Sequence, residues 1–101
     1  MSVIHEKVQL ATKNADSYII PLGPVSLVCV VTDIGMVSCA AFDVEALNKF
    51  GYPAAQVKSA GGEPIATIDD LLEGVVKHSN IAAFKFGVKP GMSGREALDR
   101  M

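Results

Sequence analysis

Seven consecutive residues, Val25-Ser26-Leu27-Val28-Cys29-Val30-Val31, are apolar almost throughout and dominated by β-branched side chains. Successive residues of a strand face opposite sides, so a run that is apolar at both odd and even positions predicts a strand covered on both faces. Gly23-Pro24 punctuates the chain before the run, and Thr32-Asp33-Ile34-Gly35 makes a tight connection after it. Met36-Val37-Ser38-Cys39-Ala40-Ala41 then pairs back as the second strand of an antiparallel hairpin. The loop length sets which residues face each other. A three-residue loop places Cys29 across from Cys39, whereas a two-residue loop places it across from Ser38. Only the first register permits a disulfide.

Around this core strand the patterning is weaker but readable. Val3 to Leu10 alternates, with Ile4, Glu6, Val8 and Leu10 on one side and Val3, His5, Lys7 and Gln9 on the other. Glu6 is the misfit on the apolar side, a place for a rim residue, a partner contact or a base with a shifted pKa. Asn14-Ala15-Asp16-Ser17 reads as a turn, and Tyr18 to Leu22 as a short strand that Pro21 confines to an edge or an end. Downstream, Asp43 caps a helix in which Val44, Leu47 and Phe50 share a face and which Gly51 ends. Ala54 to Ala60 is extended, and Gly61-Gly62-Glu63-Pro64 closes it. Thr67 followed by Asp70 starts a two-turn helix. Val75 to His78 is a connector or short strand, Ser79 or Asn80 caps a helix ending at Gly87, and Ser93 with Glu96 forms a capping box for a last helix reaching Met101.

Strands first and short helices second predict an α+β fold: a mostly antiparallel sheet, made of N-terminal strands and the central hairpin, packed against a single layer of several short helices. With 101 residues the chain suits one domain spanning residues 1–101. Lys and Arg total 9 against 11 Asp and Glu, and no basic cluster occurs, which argues against nucleic acid and anionic membrane as partners. The longest apolar run falls far short of the roughly 18 residues of a membrane span. His5, Glu6 and Lys7 interrupt the N-terminal segment where a signal peptide would be apolar. Both cysteines lie in apolar surroundings, as reduced thiols do, so a cytoplasmic location is expected. Half the residues are apolar, more than so small a domain hides alone, which points to a homo-oligomer.

Three groups of residues invite a chemical reading. Cys39 stands four residues before the helix cap Asp43, where amide dipoles favour a thiolate and the Asp43 carboxylate opposes it; the competing reading is an inert, buried thiol. Ser93-Gly94-Arg95 joins a glycine-bearing turn to a helix start and offers amides and a guanidinium to a small anion, although the turn lacks the spacing and Lys-Ser/Thr pair of a P-loop. Ser93 and Glu96 also explain each other as a cap. His5 and His78 have no partners at metal-ligand spacing and read as surface residues, and Asp69-Asp70 suits a helix start. No motif calls for a metal or a cofactor.

Taken together, Gly35-Met36-Val37-Ser38-Cys39 with Asp43 and Leu47, Thr67-Ile68-Asp69-Asp70-Leu71-Leu72, and Gly91-Met92-Ser93-Gly94-Arg95-Glu96-Ala97-Leu98 resemble the YunC-like family of small bacterial and archaeal domains. The resemblance spans roughly residues 25–101, and its most specific piece is the terminal Gly-Met-Ser-Gly-Arg-Glu-Ala-Leu segment. Ala40 stands where the family usually has a glycine after the cysteine. The resemblance implies a compact α+β fold and no particular activity, so no catalytic residue carries over. The expected function is a non-catalytic or ligand-binding module acting as a homo-oligomer; the alternative is a thiol-dependent enzyme or redox sensor using Cys39 near Asp43.

Overall fold

The computed structural model describes residues 2–101. Six strands form one sheet in chain order: β1 (Ile4–Gln9), β2 (Asn14–Pro21), β3 (Ser26–Val31), β4 (Met36–Ser38), β5 (Ala54–Lys58) and β6 (Val75–Ser79). Neighbours are antiparallel except β4 and β5, which run parallel. The fold is thus α+β with a mixed, mostly antiparallel sheet. Parallel neighbours need a crossover, and the segment from Cys39 to Pro53 supplies it through helix α1 (Val44–Asn48). Helices α2 (Ile68–Glu73), α3 (Ile81–Phe84) and α4 (Gly94–Asp99) complete the chain.

The core strand behaves as its composition requires. Val28 and Val30 point into the larger core with Val37, Ala55, Val57 and Val76, beneath Leu71 and Leu72 of α2 and Ala97 and Leu98 of α4. Cys29 points the other way, into a smaller cluster with Met36, Ala54 and Val44 of α1, flanked by Tyr18, Phe42 and Tyr52. Helices therefore cover both faces, not one; the expected single layer is corrected by the crossover, which must leave the sheet plane to bring β5 parallel to β4.

Several smaller expectations also change. Asn14 to Ser17 is not a turn but the start of β2, because Ala15 and Ser17 are buried there and the reversal is made earlier, where the Leu10 amide donates to the Lys13 carbonyl at 2.8 Å. Glu6 keeps the side expected of it, the one shared with Val8, which packs against the larger core, but is exposed because β1 is an edge strand, so it sits at the rim. Phe50 does not join Val44 in the core and is 84% exposed, since α1 is only five residues long and ends before it. The hairpin loop is the two-residue type: the Thr32 amide donates to the Gly35 carbonyl at 2.8 Å, and Cys29 pairs with Ser38. Both cysteines are free and buried.

Two close approaches fix how the helices seat. A Cβ on Gly94 would stand 2.1 Å from the Leu71 carbonyl oxygen, so only glycine lets α4 lie this near α2. The side chain of Asn80 is wholly buried and fully used. Its Oδ1 accepts from the amides of Ala54 (3.1 Å) and Ala83 (2.8 Å), and its Nδ2 donates to the carbonyls of Val44 and Tyr52, both at 2.9 Å. One residue thereby ties the crossover, β5 and α3 together.

Candidate functional site

The carboxyl ends of β4 and β5 lie side by side, and a cleft of about 450 Å³ opens there. Parallel strands separate from their crossovers at this end, which is why crevices form at the carboxyl ends of parallel strands in open sheets. Cys39, the residue after β4, lines it with Ala40 and Ala41 of the departing crossover. Val57 of β5 and Pro64 and Ile65 of the following loop supply further apolar wall. Gln56 holds the crossover wall in place by donating through Nε2 to the Phe42 carbonyl, and more weakly to that of Ala40. Cys39 itself is 7% exposed. Its backbone is committed: the amide donates to the Val28 carbonyl at 3.0 Å, and its carbonyl accepts from the Ser38 hydroxyl at 3.0 Å.

Polar groups at the cleft are few: Lys58, Ser59, Glu63 and Lys77. The loop after β5 folds on itself. The Ser59 hydroxyl accepts from the Gly61 amide at 3.2 Å and donates to Glu63 Oε2 at 3.4 Å, while Gly62 adopts a φ of +87°. Lys77 arrives through a β-bulge. Gln56 pairs with His78 and Val57 with Val76, so Lys77 has no partner opposite it. The extra residue breaks the alternation, and Lys77 and His78 are both exposed: Lys77 turns to the cleft and His78 to Glu45 of α1. Among the described residues neither Lys58 nor Lys77 has a carboxylate within ion-pair distance.

The other sequence candidates lie elsewhere. Asp43 does not line this cleft; its Oδ1 accepts the Ala46 amide at 3.0 Å as the cap of α1. Arg95 lines a separate groove of about 480 Å³ between β1, β2 and α2, with Glu6, Lys7, Thr67 and Asp69. That groove is of similar size and more polar, but its charges are mixed, Lys7 already contacts Asp16 at 2.6 Å, and Arg95 donates to the Gln9 carbonyl at 3.4 Å. At the α4 start the Ser93 amide donates to Glu96 Oε1, the Gly94 amide to the Gly74 carbonyl and the Glu96 amide to Ser93 Oγ. Cys39, Asp43 and Arg95 therefore do not converge. Burial raises the Cys29 thiol pKa, with the Cys39 sulfur adding to the effect, and Cys29 sits in the smaller core, not in the cleft. Among the described residues no three His, Cys, Asp or Glu side chains group as a metal site.

Sequence reasoning found Cys39 but missed the cleft around it, because Lys77 reaches it only through a bulge and Lys58 through a parallel pairing. The one available signal was Gly61-Gly62 directly after a strand.

Comparison with known proteins agrees with this frame. Residues 38–101 match the family described as Domain of unknown function (DUF1805). The chain is 34% identical over 82 residues to the uncharacterized protein YunC of Bacillus subtilis (strain 168), covering 81% of this chain and 80% of that protein. It also superposes on the crystal structure of a protein of unknown function, TA1206 from Thermoplasma acidophilum, with a TM-score of 0.85, covering 98% of this chain and 92% of that one at 24% identity. The latter likeness is one of fold.

Proposed function

This chain belongs to the YunC-like DUF1805 family, and within that family we propose that it is a small-molecule-binding module whose ligand seats in the Cys39 cleft. The carrying observation is the cleft itself: a mainly apolar hollow with a few polar groups, at the carboxyl ends of the parallel strands. Its volume falls within the roughly 300–1,000 Å³ of ligand pockets. Two unpaired thiols support a reducing compartment, so the module works in the cytoplasm. Exposed Phe50, Ile81, Phe84 and Phe86 support its acting as a homo-oligomer.

A neutral probe tests the binding claim. In a heteronuclear NMR titration with 1-octanol, the amides of Cys39, Ser59, Ile65 and Lys77 are expected to shift together and saturate. Shifts centred on the Arg95 groove, or no saturable shifts, would overturn the reading. The thiol-enzyme alternative uses the same Cys39, now as nucleophile, and is favoured only by the place of Cys39 in the cleft lining. A Cys39 alkylation rate that stays appreciable well below pH 8 would support it; a rate that climbs only with ordinary thiol ionisation would leave the binding role.

A further inference from the structure

We infer that the cleft's ligand is an anionic amphiphile, an apolar body carrying one carboxylate or phosphate group, with Lys58 and Lys77 receiving the anion at the mouth. The inference rests on the Cys39 cleft being the binding site. Two lysines from adjacent strands, one placed by the last position of β5 and the other by the bulge in β6, line one hollow. Each is a cation without a carboxylate partner at the edge of an apolar hollow, so an anion seated there meets positive charge that nothing else neutralises. The acid in the cleft lining, Glu63, accepts from the Ser59 hydroxyl, and no carboxylate is within ion-pair distance of either ammonium among the described residues. Cys39, Ala41, Pro64 and Ile65 in the same lining offer an anion little and accept hydrocarbon. An inorganic anion alone would leave that apolar surface wet, and a neutral hydrocarbon would leave the lysines unmatched; a molecule with both parts satisfies both.

Lysine presents a mobile point charge rather than a planar fork, so carboxylate and phosphate share this chemistry and the experiment separates them. Dissociation constants for 1-octanol, octanoate and octyl phosphate are read from the amide shifts of Cys39, Ser59 and Lys77, in the unaltered protein and in the double variant Lys58→Gln/Lys77→Gln. Both lysines are exposed, so the variant keeps its fold. The expected result is that at least one anionic probe binds about tenfold more tightly than octanol, as a charge-assisted contact provides. That advantage disappears in the double variant and shrinks at about 1 M salt, where screening acts within roughly 3 Å. The tighter of the two anions identifies the headgroup. Equal binding of all three probes would overturn the inference while leaving the cleft as a binding site. An advantage retained in the double variant would also overturn it, since other groups would then receive the charge. Absence of saturable binding by any probe would sink the cleft reading and this inference together.

Discussion

Asn80 serves four backbone groups from a position with no solvent contact, so its loss exposes more than a helix cap. Asn80→Ala removes a cap and strands buried amides and carbonyls, and is expected to cost about 3 kcal/mol or more in a denaturant melt. Gly94→Ala is expected to cost about 3 kcal/mol by forcing α4 away from the Leu71 carbonyl, with the overpacking falling on backbone that has little room to yield. A melt of either variant within 0.5 kcal/mol of the unaltered protein would contradict these roles. The terminal Gly-Met-Ser-Gly segment, the most distinctive stretch of the sequence, is accounted for by such packing: Gly91 takes a φ of +99°, the Met92 carbonyl accepts from Val76, Ser93 caps and Gly94 admits the neighbouring helix. Its glycine and cap were legible as local signals, but the Leu71 carbonyl that requires Gly94 is distant in sequence and leaves no mark beside it.

At the level of elements, the short helices depend on their ends, since a helix of six residues has few internal bonds to hold it. Ser93→Ala and Thr67→Ala are each expected to lose about 1 kcal/mol. The amides of Ala66 and Thr67 and the Thr67 hydroxyl hold Asp70 below the usual carboxylate range, and the Ser93 amide does the same for Glu96. Lys7 depresses Asp16, as Lys13 does Asp33. A carboxylate whose folded pKa is lowered stabilises above its unfolded pKa and loses that contribution as pH falls through the folded value, so stability should decline below about pH 4. The raised Cys29 thiol acts at the other end: its contribution is complete below the unfolded value and fades as pH rises through the folded one, so stability should also decline above about pH 8.5. Thermal melts across pH test both limbs, and a midpoint unchanged from pH 7 to pH 3 would contradict the first. Caps were readable because their signals sit three residues apart, as at Thr67 and Asp70. The bulge at Lys77 was not, because it is a mismatch between two strands and exists in neither alone.

For the whole molecule, the central strand was legible because burial on both faces writes itself into every position from Val28 to Val31. The parallel pairing of β4 and β5 was not, since three residues of β4 carry no pattern that distinguishes the direction of a neighbour. With it went the second helix layer and the cleft, both consequences of the crossover. Among the described residues no helix is long and apolar enough to cross a membrane. The exposed Phe50, Ile81, Phe84 and Phe86 lead us to expect self-association, visible in size-exclusion chromatography with light scattering and weakened by Phe50→Asp; a monomer at high micromolar concentration would contradict it. The cleft is tested most directly through its own sulfur. Peptide-resolved mass spectrometry of the native protein treated with iodoacetamide should find Cys39 labelled, Cys29 unlabelled until unfolding, and the Cys39 rate slowed by millimolar octanol. Equal labelling of the two thiols, or a Cys39 rate indifferent to octanol, would contradict a ligand site at the carboxyl ends of β4 and β5.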